Sequence, residues 1–167
     1  MFSLTTAAAW DNSTAPRDCC FDFDGKKLYV TGFCDLTFPC PTAANIDSIR
    51  VYDAVERNKF LGQINLDPVA QTVAGQTRAS AQALLFGPRQ NLFIPITLRP
   101  AFSGEVLDCD VENTRLSPAK PVDATRICSP FVIADGTLGI PFYLTFGRTD
   151  SATLAYPSTE GDERERD

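Results

Sequence analysis

The stretch Cys19-Cys20-Phe21-Asp22-Phe23-Asp24-Gly25-Lys26-Lys27-Leu28-Tyr29-Val30 is two short runs folded about an Asp-Gly pair. Asp-Gly in such a setting is a strong hairpin signal, because Gly reaches positive φ without steric cost. A two-residue type I′ loop at Asp24-Gly25 sets Phe23 against Lys26 and Asp22 against Lys27. It also sets Phe21 against Leu28, Cys20 against Tyr29 and Cys19 against Val30. Side chains alternate across a strand. Cys19, Phe21, Phe23, Leu28 and Val30 therefore share one face, which is expected to be the buried one. Tyr29 is expected to point outward, Cys20 outward or toward a neighbour, and Asp22 and Lys27 form an opposite-charge cross-strand pair.

Working outward from this hairpin, the same pattern recurs. Residues 48–54 and 59–64 read as a second hairpin around the polar turn Glu56-Arg57-Asn58. Residues 65–80 hold Asp67-Pro68, Gly75 and small polar residues, and are expected to form a long loop or strands with an exposed tip. Residues 81–86 make a short apolar strand. Residues 91–98 place Leu92, Ile94, Ile96 and Leu98 on one face, and 104–109 form the next strand. After an irregular stretch at 110–124, strands are expected at 126–134 and 138–146, joined by Asp135-Gly136. In the latter, Ile140, Phe142, Leu144 and Phe146 share a face. Pro95 and Pro141 interrupt strands and mark edges or bulges, since proline donates nothing to a ladder.

No segment repeats apolar residues at helical spacing. The expected fold is mainly β: a single antiparallel β-sandwich or barrel, jelly-roll-like, with eight or nine short strands and long loops. Residues 1–18 read as an extended N-terminal arm, 19–157 as the β domain and 158–167 as a charged C-terminal tail. The 167 residues suffice for one domain with a real core.

Composition narrows the chemistry. Histidine is absent, which removes the commonest general base and metal ligand and any Ser-His-Asp or Cys-His mechanism. The net charge of -6 argues against nucleic acid as a partner. No run approaches the length of a membrane span. The N-terminus lacks the basic and apolar regions of a signal peptide. Asn12-Ser13-Thr14 fits the glycosylation sequon, which matters only in an exported protein.

The six cysteines, Cys19, Cys20, Cys34, Cys40, Cys109 and Cys128, are all disulfide candidates, with fifteen complete pairings. They are read as buried thiols, as cysteines oxidised after leaving a reducing cytosol, or as zinc ligands. Zinc is the weakest reading, for no C-x₂₋₄-C knuckle is present. Cys19 and Cys20 are too close to bond each other. A Cys34–Cys40 bridge would staple the proline-rich loop at 32–41, although either residue can reach elsewhere.

Three constellations resemble sites. Asp108 and Asp110, with Glu112 nearby, offer carboxylates for Ca²⁺ or acid/base work, against the plainer reading of a polar strand end. Asp22, Asp24 and Gly25 lack the remaining EF-hand ligands. Trp10, Tyr29, Tyr52, Tyr143 and Tyr156 suggest a sugar platform, although cross-strand packing explains such aromatics better. There is no P-loop, dinucleotide fingerprint or G-x-S-x-G.

The expectation is a structural protein rather than an enzyme, with no catalytic residue, metal or cofactor. A virus or phage particle component fits: a capsid decoration, cement, neck or tail subunit, made in the host cytoplasm and oxidised in the virion. Its partners would be copies of itself and other structural proteins, with no nucleic acid, membrane or small-molecule substrate. The alternative is a secreted β-sandwich module binding carbohydrate or protein. A carboxylate-dependent hydrolase comes third.

Overall fold

Leu92, Ile94, Ile96 and Leu98 are wholly buried on one face of the longest strand, as their alternation predicts. In the computed structural model, which describes residues 16–32 and 47–146, they form the floor of the core. The described strands are β1 (Cys19–Phe21), β2 (Lys27–Gly32), β3 (Ser48–Asp53), β4 (Phe60–Asn65) and β5 (Arg78–Ala81). They continue with β6 (Leu85–Phe86), β7 (Leu92–Arg99), β8 (Ser103–Cys109), β9 (Val122–Asp123) and β10 (Cys128–Val132).

The strands form two sheets. The first runs β1-β2-β3-β4-β9, and the second β10-β8-β7-β5, with β6 also paired to β7. Among the described residues both sheets have free edges, so the fold is an open sandwich and not a closed barrel. All pairings are antiparallel except β4 with β9, which is parallel. The core joins Tyr29, Ile49, Val51 and Ile64 of the first sheet to Ala79, Ala81, Ile94, Ile96 and Leu107 of the second.

The first hairpin keeps the predicted register, with Cys19 opposite Val30, Cys20 opposite Tyr29 and Phe21 opposite Leu28. Its turn is different. Only Gly25 has positive φ there, so the turn is not type I′. The Asp24 carboxylate instead accepts from the Lys26 N–H and pairs with the Lys26 ammonium, while Asp22 accepts from the Lys27 N–H. The expected Asp22–Lys27 charge pair is thus replaced by Asp24–Lys26.

The faces of the hairpin are also exchanged. Tyr29 lies in the core, edge-on to Phe86 at 5.3 Å between ring centres, and Cys20 packs beside it. Cys19 and Phe21 are exposed. Phe23 still packs on the core against Phe86, and the inward row carries Asp22 and Lys27 only at its turn end, so alternation fixes the rows but not which row meets the second sheet.

The second hairpin, β3–β4, forms as expected, with Arg57 and Asn58 at positive φ in its turn. The 65–80 stretch does not form a long loop. It contains one helical turn, α1 (Asp67–Gln71), with Pro68 near its start and Asp67 in its first turn. Val69 and Ala70 are buried from it against the core. One turn is too short to show helical periodicity.

The 81–86 strand is split into β5 and β6. The break lies opposite Pro95, whose carbonyl accepts from the Gln82 N–H. Pro95 therefore sits in an interior strand, where its neighbour is interrupted. Residues 138–146 belong to no strand or sheet, which corrects the expected last strand. They cross the outer face of the second sheet. Gly104 donates its N–H to Leu138 O at 2.8 Å, and any side chain at Gly104 would collide with the Gly139 carbonyl. Further along, Phe146 meets Phe93 edge-on at 4.8 Å between ring centres.

Polar ties join the sheets at the β5 edge. Buried Asp47, just before β3, accepts two bonds from the Arg78 guanidinium (2.7 and 2.9 Å) and one from Ser80. Asp18 accepts from the Leu84 N–H at 2.8 Å. The last residues of the predicted arm are therefore fastened to the body. Among the described residues no helix is long and apolar enough to cross a membrane.

Candidate functional site

Two surfaces stand out, one polar and one apolar, and both border β10. Cys109 and Cys128 face each other across β8 and β10 and form a disulfide. This pairing depends on two strands separated by an irregular stretch, so nothing local in the sequence announces it. Cys19 and Cys20 are free thiols. Burial, with Asp18 and Cys19 adding to it, pushes the Cys20 thiol up to about 12, so it stays protonated and inert at neutral pH. Cys34 and Cys40 lie outside the described residues.

Beside the disulfide is an open cleft of about 1040 Å³. Asp108 and Asp110 both line it, as the alternation of β8 suggests. Asp108 accepts from the Asn91 amide at 2.6 Å. Arg89, Arg115, Lys120 and Arg126 border the same space. None of these four cations takes part in an ion pair among the described residues. Glu112 does not join Asp108 and Asp110. It lines a smaller cavity of about 290 Å³ with Asp22 and Asp24. No group of three metal-ligating side chains gathers among the described residues.

The carboxyls that burial pushes above their usual range are Asp22 and Glu105, and neither lines the large cleft. Glu105 stands on the core face opposite Ile96, with one carboxylate oxygen buried and without a partner.

The aromatic platform does not assemble. Tyr29 and Tyr52 are both buried, Tyr52 packing against Phe60. Trp10 and Tyr156 lie outside the described residues. Tyr143 alone of the described tyrosines is exposed, at 87%.

Tyr143 belongs to the second surface. A register shift between Pro130 and Val132 inserts Phe131 as an extra residue in β10. The bulge turns Phe131 onto Phe93, at 5.2 Å between ring centres. Phe131 remains 55% exposed and Ile133 61%, with Val132, Ile140 and Phe142 also open to solvent. Together with Tyr143 these residues form an apolar belt along β10 and the 138–146 segment. Only Asp135 is charged between residues 129 and 146, whereas 22% of the whole chain is charged. The sequence reading put these apolar residues in strands and so hid the belt. The signal available was the near absence of charge.

The chain matches no family model, no curated protein and no solved structure.

Proposed function

We propose that this chain is a structural subunit that works through protein–protein contacts within a larger assembly. The observation that carries this reading is the apolar belt at 131–133 and 140–143. Soluble monomers seldom leave contiguous apolar patches larger than about 300–600 Å², and larger ones mark interaction sites. The belt is also poor in charge, like the centre of an interface.

A virus or phage particle component, such as a decoration, cement, neck or tail subunit, fits the rest. The Cys109–Cys128 bridge suits a protein that ends its life outside a reducing cytosol. Lysis would expose a particle to that oxidising medium without any export step. Sedimentation of extracts from the native source tests the proposal. The chain should travel with a particle of far higher mass and remain with it after nuclease treatment. A chain found only at monomer mass would overturn it.

The polar cleft favours a second reading, a secreted module that binds an acidic or hydroxylated ligand through its free cations. Binding of the monomer on a glycan array, lost in Arg115→Ala, would support that reading instead.

A further inference from the structure

We infer that the belt is self-complementary and that its occupant is a second copy of this chain, related by a two-fold axis. This deepens the structural-subunit reading and rests on it. Three observations argue for a second copy.

The first is area. Phe and Tyr each offer about 150–250 Å². At their exposures, Phe131, Val132, Ile133, Ile140, Phe142 and Tyr143 present on the order of 600 Å² per copy by that measure. Two belts face to face would cover about 1,200 Å², the lower bound of a stable specific interface.

The second is charge. Copies carrying -6 each repel one another across most of their surface. The belt, with Asp135 as its one charged residue, is where two copies approach at least cost. A strongly polar or basic partner would find nothing there to pair with.

The third is backbone. Among the described residues, the N–H and C=O groups of 139–146 make no hydrogen bond to protein. A second copy related by a two-fold axis is placed to satisfy these groups reciprocally, Pro141 alone offering no donor. β10 itself is less suited to lead this pairing. The Asp110 N–H bonds Ile127 O, so by alternation Pro130 turns its missing donor outward, where it blunts that edge.

Sedimentation equilibrium of the purified full chain, from about 1 to 100 µM, spans the affinities such an area supports. A dimer is expected, and Tyr143→Asp and Ile133→Asp should each weaken it at least tenfold. At concentrations low enough to keep wild type monomeric, their circular dichroism and melting temperature should match it, because both side chains are exposed. Added salt should strengthen the dimer by screening like charges. In the dimer, the amides of 139–146 should exchange more slowly than in the monomer.

A wild-type chain that stays monomeric over the whole range overturns the inference, as does a dimer indifferent to both substitutions. Association that weakens with salt would assign the contact to the cationic cleft and overturn it equally. A monomeric chain that still travels with a native particle would remove self-pairing while leaving the structural-subunit proposal standing.

Discussion

The two faces of the second sheet meet opposite fates. On the inner face Leu92, Ile94, Ile96 and Leu98 are fully buried beneath the first sheet. On the outer face Phe93 is buried under Phe131 and Phe146, but the covering layer leaves its own apolar side chains in solvent. The inner face is closed by a sheet whose backbone groups are paired. The outer face is crossed by one segment, 138–146, whose backbone bonds the sheet only at Leu138 O among the described residues. Apolar content thus predicts which side chains seek cover, while pairing of the covering backbone decides whether they are fully covered.

The largest effect should separate these faces directly. Ile96→Ala removes a wholly buried side chain and should lower unfolding free energy by about 3–4 kcal/mol. Phe142→Ser, on the belt, should change it by less than about 0.5 kcal/mol at concentrations where the chain is monomeric. Urea titrations of both variants measure this, and equal losses would erase the distinction. Next comes the bridge that fastens β10 to β8. Its cysteines are separated by 19 positions, and a loop of that size is worth about 3 kcal/mol in the chain-entropy account. Reduction, or the Cys109→Ser/Cys128→Ser double variant, should lower the urea midpoint accordingly. It should also loosen the belt, whose Phe131 is carried by β10.

The smallest effect concerns the acidic intruder on the inner face. Burial raises the Glu105 carboxyl above its usual range, so the fold favours the protonated form. Stability is therefore fullest at pH below the unfolded carboxyl's range. It declines as pH rises toward the folded value and levels off above it. Glu105→Gln should add roughly 1 kcal/mol at neutral pH and nothing in acid. A gain of the same size at both pH values would show that the charge is irrelevant.

Much of the sandwich was legible in the sequence because turns and alternation are local. Asp22 to Lys27 fixed the first register, and Leu92 to Leu98 identified a core strand. What escaped depends on distant chain. Tyr29 faces inward because Phe86 meets it there. Residues 138–146 alternate like a strand, yet no neighbour in the described chain offers them a ladder. Asp108 and Asp110 were correctly placed on one side. The cations around them come from Arg89 on one side and from the irregular 115–126 stretch on the other, which only the fold brings together, and the Cys109–Cys128 pairing likewise requires β10 to return beside β8.

The Asp47 clamp and the Asp18 contact bind the sheets along the β5 margin, and no comparable tie spans the β10 margin among the described residues. The molecule is in effect a book sewn along one spine. Thermal breathing should begin at the fore-edge and travel toward the binding. Proteases would then nick the 133–139 bend long before global unfolding, and the leaf most easily lifted is the one that carries the belt.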